Sequence, residues 1–416
     1  MDTSTNSLEP WEDPANHVSE CCPLCEAPAS DGVVVGTRGR FKMNVRNVSC
    51  RHCGLVRVNP RPTPEAMDAY YRGPYREQVK NVKLPSPTGG FVGPDDDGYM
   101  EARRQRYRDQ AQIAIKLGQL QAGAKVLEVG CRDGQTLTHM RDLAGVEIYG
   151  VEPGPAEAAE AEARGVAMFV GLLEELVLGP DGGAPDFPTD GLDQVQMFHV
   201  LEHIHQPLDV LVHLRSWLAP GGSVVIEVPN VTHPYGPLDL NFFQNCHLTS
   251  FSANTLCAMM RRAGLSPQRL VDKGTLFVVA TRDPAFDGVA LPLPFDETML
   301  PSPQMKGEWI ADRLDTYRYV ESAKAVILGG KISMDHLTTM ASLLQRPGFA
   351  DHTKSTVREL VERLMRVQAH RAASAIARAA AKGPHHAASV AAVCHALAHR
   401  CVRPPSPTPL INRSSQ

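Results

Sequence analysis

The sequence predicts an α/β chain: a parallel sheet with helices on both faces, a small cysteine-rich module before it and a mainly helical region after it. Three observations predict this. Strand and helix signals alternate from residue 124 to residue 282, two CxxC pairs fall before residue 54, and after about residue 283 the alternation gives way to a proline-rich connector and helical patterns. Alternation of this kind lays successive strands side by side in parallel with helices covering both faces.

Taken in order, residues 1–19 are polar and acidic and read as a flexible lead. Residues 20–80 hold the cysteine module and a following helix, which "RPTPEAMDAYY" starts with Thr63 as cap and Pro64 and Glu65 in its first turn. Residues 81–98 are rich in Pro, Gly and Asp and read as a linker. The main domain spans 99–282, opening with the helical "YMEARRQRYRDQAQIAIKLGQL". Strands follow at "KVLEVGC", "EIYGVEP", "AMFVG", "LDQVQMF", "SVVIEVPN" and "LFVVATR". The helices between them are "QTLTHMRDLA", "PAEAAEAEARG", "PLDVLVHLRSW" and "SANTLCAMMRRAGL". Residues 284–402 read as mainly helical, and 403–416 as a disordered tail. Within them, 354–382 carries seven Lys/Arg against two Glu, which reads as the solvated face of a helix packed by Leu360, Val361, Leu364 and Val367.

Bulk properties narrow the function class. The 416 residues are 43% hydrophobic and 21% charged, enough for a sizeable core. A net charge of −4 gives no overall case for nucleic acid, so a nucleic-acid partner is not expected. The N-terminus lacks the pattern of a signal peptide and no apolar run is long enough to span a membrane, so the expected location is the cytoplasm. Oligomeric state is not readable.

Of the ten cysteines, five fall in residues 21–53. Cys22-x2-Cys25 and Cys50-x2-Cys53 are separated by 24 residues. Two such turns can supply four thiolates to a tetrahedral zinc ion, a closed and therefore structural site. Reduced buried cysteines are the plain alternative. A redox pair is disfavoured because neither CxxC opens a strand–helix unit.

"VLEVGCRDG" ends a strand at Val129, and Gly130 and Gly134 bracket the turn after it. Small residues there let a cofactor approach the backbone at the carboxyl edge of a parallel sheet. Arg132 breaks the GxGxxG pattern, which argues against a dinucleotide and an NAD-dependent oxidoreductase. Glu128 points to a cationic ligand instead. Glu152, 22 residues after Gly130, stands where an acid can accept both ribose hydroxyls.

With "VLEVGCRDG", "YGVEP", "LDQVQMFHVLEHIHQP" and "LAPGGSVVIEVPN" in order, residues 99–282 resemble the class I S-adenosylmethionine-dependent methyltransferases. The resemblance implies a Rossmann-like seven-stranded sheet whose last strand is antiparallel. It implies S-adenosyl-L-methionine held by Glu128, Gly130, Arg132, Gly134, Glu152, Phe198 and His199. Leu172 departs from it, standing where many relatives place an Asp that meets the adenine. The stretch "CCPLCEAP…CRHCGLVRVNPRPTPEAMDAYYRGPY" is similar to the zinc-binding front of the sugar C-methyltransferases, which implies zinc on Cys22, Cys25, Cys50 and Cys53.

Methyl transfer from a sulfonium is an in-line displacement that needs a positioned acceptor and, where the acceptor carries a proton, a base. "FHVLEHIHQP" offers His199, Glu202, His203 and His205, and "LNFFQNCHLTSFS" offers His247 among Phe242, Phe243 and Phe251. Each has a bland reading as well: helix caps for Glu202 and His203, a satisfied core histidine for His247. "CHLTSFS" is similar to the "HEHLSYFS" stretch of the sugar C-methyltransferases. That match implies His247 as general base, with Cys246 in place of its neighbouring acid and Asn245 in place of the first histidine. The quinone-ring O-methyltransferases share "HVLEH", so an oxygen acceptor stays open. The expectation is a methyltransferase acting on a small molecule, a nucleotide-linked sugar or natural-product intermediate. A non-catalytic zinc-ribbon recruitment protein is the alternative.

Overall fold

Burial is continuous along the first strand of the main domain from Val126 to Val129, and the side chains divide between its two faces. Val126 packs on one face with Leu137, Met140, Ile148 and Ala161; Leu127 and Val129 pack on the other with Leu211, Leu214 and Met259. A strand with both faces covered is the mark of a central parallel sheet. The structure is a computed structural model and describes residues 9–72, 75, 84–85, 91–93, 96, 98–178, 187–188, 190–234, 238–272, 275–286, 310–311, 314–315 and 318. The chain divides into two units, Met1–Ala311 and Asp312–Gln416, and the sheets and the site both belong to the first.

In chain order the strands of this unit are β1 (His17–Val18), β2 (Gly32–Arg38), β3 (Asn44–Cys50), β4 (Val56–Val58), β5 (Arg61–Pro62), β6 (Leu84–Pro85), β7 (Phe91–Val92), β8 (Lys125–Val129), β9 (Glu147–Glu152), β10 (Ala167–Val170), β11 (Leu192–Phe198), β12 (Leu218–Pro229), β13 (Thr249–Ser250), β14 (Leu265–Asp272) and β15 (Thr275–Arg282). The helices are α1 (Pro64–Arg72), α2 (Tyr99–Gly118), α3 (Gln135–Ala144), α4 (Pro155–Ala163), α5 (Leu173–Leu178), α6 (Pro207–Trp217) and α7 (Ala253–Arg262).

The main sheet has seven strands in the order β10-β9-β8-β11-β12-β15-β14. The first five are parallel, and β15 runs antiparallel between β12 and β14. This is the expected Rossmann-like sheet. The chain order reverses between β8 and β11, so the carboxyl ends of β8, β9 and β11 border the crevice where such sheets bind ligands. β14 has no alternating signal in the sequence; Pro267 interrupts its register, as proline does on a sheet edge. β12 begins at Leu218, so "LAPGG" belongs to the strand and not to a turn after α6.

The cysteine module forms its own sheet, ordered β13-β4-β3-β2. Its fourth strand is borrowed: Thr249 and Ser250 of the main domain pair antiparallel with Arg57 and Val56. Ser252 then caps α7, its hydroxyl accepting from Thr255 N while Thr255 Oγ1 accepts from Ser252 N at 2.9 Å. Side chains lock the two parts further. Arg61 donates to the His205 carbonyl at 2.8 Å, and the Arg262 guanidinium meets Glu26 at 2.9 Å.

Residues 9–19, expected within a flexible lead, are ordered. Asp13 caps a short 3-10 turn at Pro14–Asn16, and His17–Val18 pair with Pro62 and Arg61. A short polar stretch gains order when its backbone finds a partner strand, which composition does not show. Residues 1–8, the linker 81–98 apart from its named residues, almost all of the helical region 284–402, including 354–382, and the tail 403–416 lie outside the described residues.

Candidate active site

Cys22, Cys25, Cys50 and Cys53 bring their sulfurs within 4.8 Å of one another. Cys22 Sγ lies 3.6 Å from Cys53 Sγ, and Cys25 Sγ 3.4 Å from Cys50 Sγ. A disulfide needs about 2.05 Å. Four sulfurs at about 2.3 Å around one tetrahedral zinc stand about 3.8 Å apart, which this spacing approaches. The two CxxC turns are built alike. Glu26 N donates to Cys22 O at 2.8 Å as Gly54 N donates to Cys50 O at 2.9 Å. Cys22 N donates to Ala27 O and Cys50 N to Leu55 O, both at 2.9 Å. The residue after each pair is left-handed, Glu26 at φ 58 and Gly54 at φ 76. Two superposable knuckles aimed at one point are a ready cage for a metal.

The glycine turn follows β8. Gly130, Arg132 and Gly134 all have positive φ, at 68, 52 and 72. A Cβ on Gly130 would stand 2.7 Å from Val200 Cγ2, and one on Gly134 2.9 Å from Val166 Cγ2. Both places need glycine for conformation and for space. Arg132 holds a backbone region that costs a non-glycine residue of order 1–3 kcal/mol. The Glu152 carboxylate offsets that strain: one oxygen accepts from Arg132 N at 3.1 Å, the other from Gly154 N at 2.8 Å. Glu152 thus ties the ends of β8 and β9 together. The Arg132 side chain is exposed.

Glu128 is buried, and its carboxylate accepts from Gln196 Nε2 at 3.1 Å. Burial, with Asp133 and Glu152 nearby, pushes its pKa up to about 8. Asp133 is buried as well, and its Oδ1 has no hydrogen-bond partner. Three buried acids and an unsatisfied carboxylate oxygen at one strand edge suit a ligand that brings positive charge, as a sulfonium with an ammonium does. Phe198, at the end of β11, stacks on Phe277 with centroids 6.0 Å apart.

His199 stands beyond Phe198 with φ 57. Its Nδ1 is 3.4 Å from Glu202 and its Nε2 3.5 Å from Glu227, whose other oxygen accepts from Gln110 Nε2 at 2.6 Å. Burial and Arg106 act to lower its pKa, but the two carboxylates outweigh them and raise it to about 9. Glu227 is held down at about 2: burial opposes this, and the His199 charge overcomes it. The two carboxylates thus favour the protonated form of His199.

Glu202 and His203 do not cap the next helix; Gln206 is the N-cap residue of α6 and makes no side-chain cap. They face His247. The His203 and His247 rings meet edge to face at 4.8 Å. Glu202 is 1% exposed and lies 4.0 Å from His203 Nε2. Its carboxyl stays below the usual range: burial resists, and His199, His203 and His247 prevail. Burial drives His247 down to about 3, helped by His203, and lowers His203 too. Both rings are neutral nitrogen bases. Cys246 is buried and its thiol is pushed up to about 12 by that burial.

Tyr71 and Tyr75, which the sequence reading did not single out, complete the cluster. Tyr71 Oη lies 3.1 Å from His203 Nδ1. The Tyr71 and Tyr75 rings pack edge to face at 5.0 Å and both approach His203. Burial raises the pKa of each, so both stay phenols. The doubled tyrosines in "AYYRGPY" were the available signal. His205 turns away and bonds the Pro62 carbonyl at 3.0 Å, a structural role. Phe242, Phe243 and Phe251 are fully buried core.

A sequence family described as "Methyltransferase domain" matches residues 100–270. The tRNA U34 carboxymethyltransferase of Methylococcus capsulatus is 31% identical over 157 residues, 36% of this chain and 47% of that protein. The protein of the same name from Shewanella sp. (strain W3-18-1) is 33% identical over 102 residues, 24% of this chain and 30% of its own. The chain thus spans less than half the length of these relatives. Among solved structures, the complex between the Haloferax volcanii Trm112 methyltransferase activator and the putative methyltransferase aligns at TM-score 0.35 and 18% identity, covering 44% of this chain and 94% of that one. Residues 100–270, which match that methyltransferase family, carry the sheet order β10-β9-β8-β11-β12-β15-β14 that the resemblance to class I methyltransferases implies.

Two expectations are corrected. The curated relatives are named for a tRNA substrate, which overturns the small-molecule acceptor and the argument against a nucleic-acid partner. The charge argument failed because a net value averages over the whole surface. α2 alone carries Arg103, Arg104, Arg106 and Arg108; Arg106 acts on His199 and Glu227, while Arg104 and Arg108 pair with Glu101. Among the described residues no helix is long and apolar enough to cross a membrane.

Proposed function

We propose that this protein transfers a one-carbon or carboxymethyl group from an S-adenosyl sulfonium donor to a nucleoside of a tRNA. The observation that carries the reading is that relatives matched within this chain bear the name tRNA U34 carboxymethyltransferase. The arginines of α2 support it, since guanidinium groups are suited to phosphate.

The donor would lie across the carboxyl ends of β8 and β9. Glu152 would accept its ribose hydroxyls, the Gly130–Gly134 turn would take its methionine part, and Glu128 and Asp133 would balance its positive charge. The acceptor would enter between α1 and the segment 245–250. There Glu202, His203 and His247 form a polar wall in which His247 supplies a neutral nitrogen base. The four cysteines would hold a structural zinc that fixes the module and, through the β4–β13 pairing, the segment carrying His247. Thiols kept free for that role suit a reducing cytoplasm.

Nucleoside mass spectrometry of bulk tRNA, after incubation with purified protein and donor, tests the reading. It expects one nucleoside to gain the mass of a methyl or carboxymethyl group. Donor turnover with unmodified tRNA would refute it.

A further inference from the structure

We propose that this chain holds a second metal ion, on His203, Cys246 and His247. This centre is separate from the four-cysteine cage and does not depend on which acceptor the enzyme takes; with the ion bound His247 acts as a ligand, and the base role proposed above belongs to the metal-free state.

One ligand atom from each of His203, Cys246 and His247 lies within 4.8 Å of the other two. Around an ion at 2.0–2.3 Å, tetrahedral ligands stand roughly 3.3–3.8 Å apart, so closure needs about 1 Å of side-chain movement. All three are sheltered: Cys246 is 1% and His247 7% exposed, and the His203 side chain is 16% exposed. Two imidazoles and a thiolate are the donors that a borderline cation of the zinc or cobalt type prefers.

One further feature points at the ion. The Tyr71 hydroxyl holds His203 Nδ1 at 3.1 Å. A ligating histidine is commonly steadied in this way through its other ring nitrogen. The His203 ring also bonds the Cys246 main chain, and that bond would open as the ion enters. The two protein parts contribute unequally: the ligands come from the main domain, the steadying hydroxyl from α1.

Full-length protein, freed of loosely bound metal and saturated with zinc, should retain one ion more per chain in the wild type than in C246S or H203Q, by elemental mass spectrometry after gel filtration. Equal content in all three, with native circular dichroism, overturns the proposal. If the variants fold poorly, the wild type still decides. Cobalt added to protein carrying a single equivalent of zinc, enough for the four-cysteine cage alone, should raise a near-ultraviolet thiolate-to-cobalt band that saturates at one equivalent, and a flat titration overturns the proposal.

Discussion

The donor side and the acceptor side of the crevice are built in opposite ways. The donor side uses consecutive elements: β8, its glycine turn, β9 and the first residues after it lie within Lys125–Gly154, and one carboxylate, Glu152, bonds both turns. The proposed acceptor side gathers three distant segments, around Tyr71 and Tyr75, His199–His203 and Asn245–Ser250, and depends on the cysteine module to hold the third. Local construction makes the donor side tolerant of damage elsewhere. Remote construction makes the acceptor side the part that fails first.

The strongest way to separate the two sides is to empty the cysteine cage. Binding of a structural zinc contributes on the order of 10 kcal/mol to folding of its module. Cys50→Ser should therefore lose the ion and abolish transfer while donor binding, read by calorimetry, persists. Loss of donor binding with the metal would join the two sides and break the comparison.

His247→Ala comes next. Removal of an acid–base group costs about 10²–10⁴ in turnover, and donor affinity should not change. Single-turnover kinetics with tRNA check this, and near-normal rates would remove His247 from the chemistry.

Glu152→Ala should act on the opposite side. Its hydrogen bonds are charge-assisted, worth about 1.5–3 kcal/mol each. The donor dissociation constant should rise by roughly 10- to 100-fold at constant tRNA affinity. An unchanged donor affinity would show that the carboxylate serves only the loop.

The smallest effect is a proton. Glu128, raised to about 8, is protonated at pH 7 in the free protein, and a cationic donor favours its carboxylate. Donor binding at pH 7 should release close to one proton and tighten as pH rises toward 8. Calorimetry in buffers of different ionisation enthalpy reads this, and Glu128→Gln should abolish it. For stability the sign is opposite. The unfolded side chain ionises near 4.5 and the folded one near 8, so stability should fall as pH climbs through that window and level off above it.

The same contrast explains what the sequence disclosed. The seven-stranded sheet and the glycine turn after β8 were legible because strand periodicity, the glycines at 130 and 134 and the acid at 152 are local signals. The CxxC pairs were legible for the same reason. The acceptor side was half legible: residue types marked His199, Glu202, His203 and His247, but not which of them is charged. That depends on Glu227 and Gln110, which arrive from β12 and α2. Tyr71 and Tyr75 enter through a packing of α1 on the main domain that no periodicity encodes. The two-residue strand β13 is too short for an alternating pattern, and its pairing with β4 is visible only in space.

That pairing also governs how the chain can be cut. The family match begins at residue 100, and a fragment of residues 99–282 looks like a self-sufficient domain. Removing the module would strip Thr249 and Ser250 of their partner strand and expose the apolar bed beneath Leu24 and Leu55. An unpaired edge beside bare hydrophobic surface invites self-association. The boundary suggested by homology is thus a poor place to trim, and dissection of this protein should keep residues 9–72 attached.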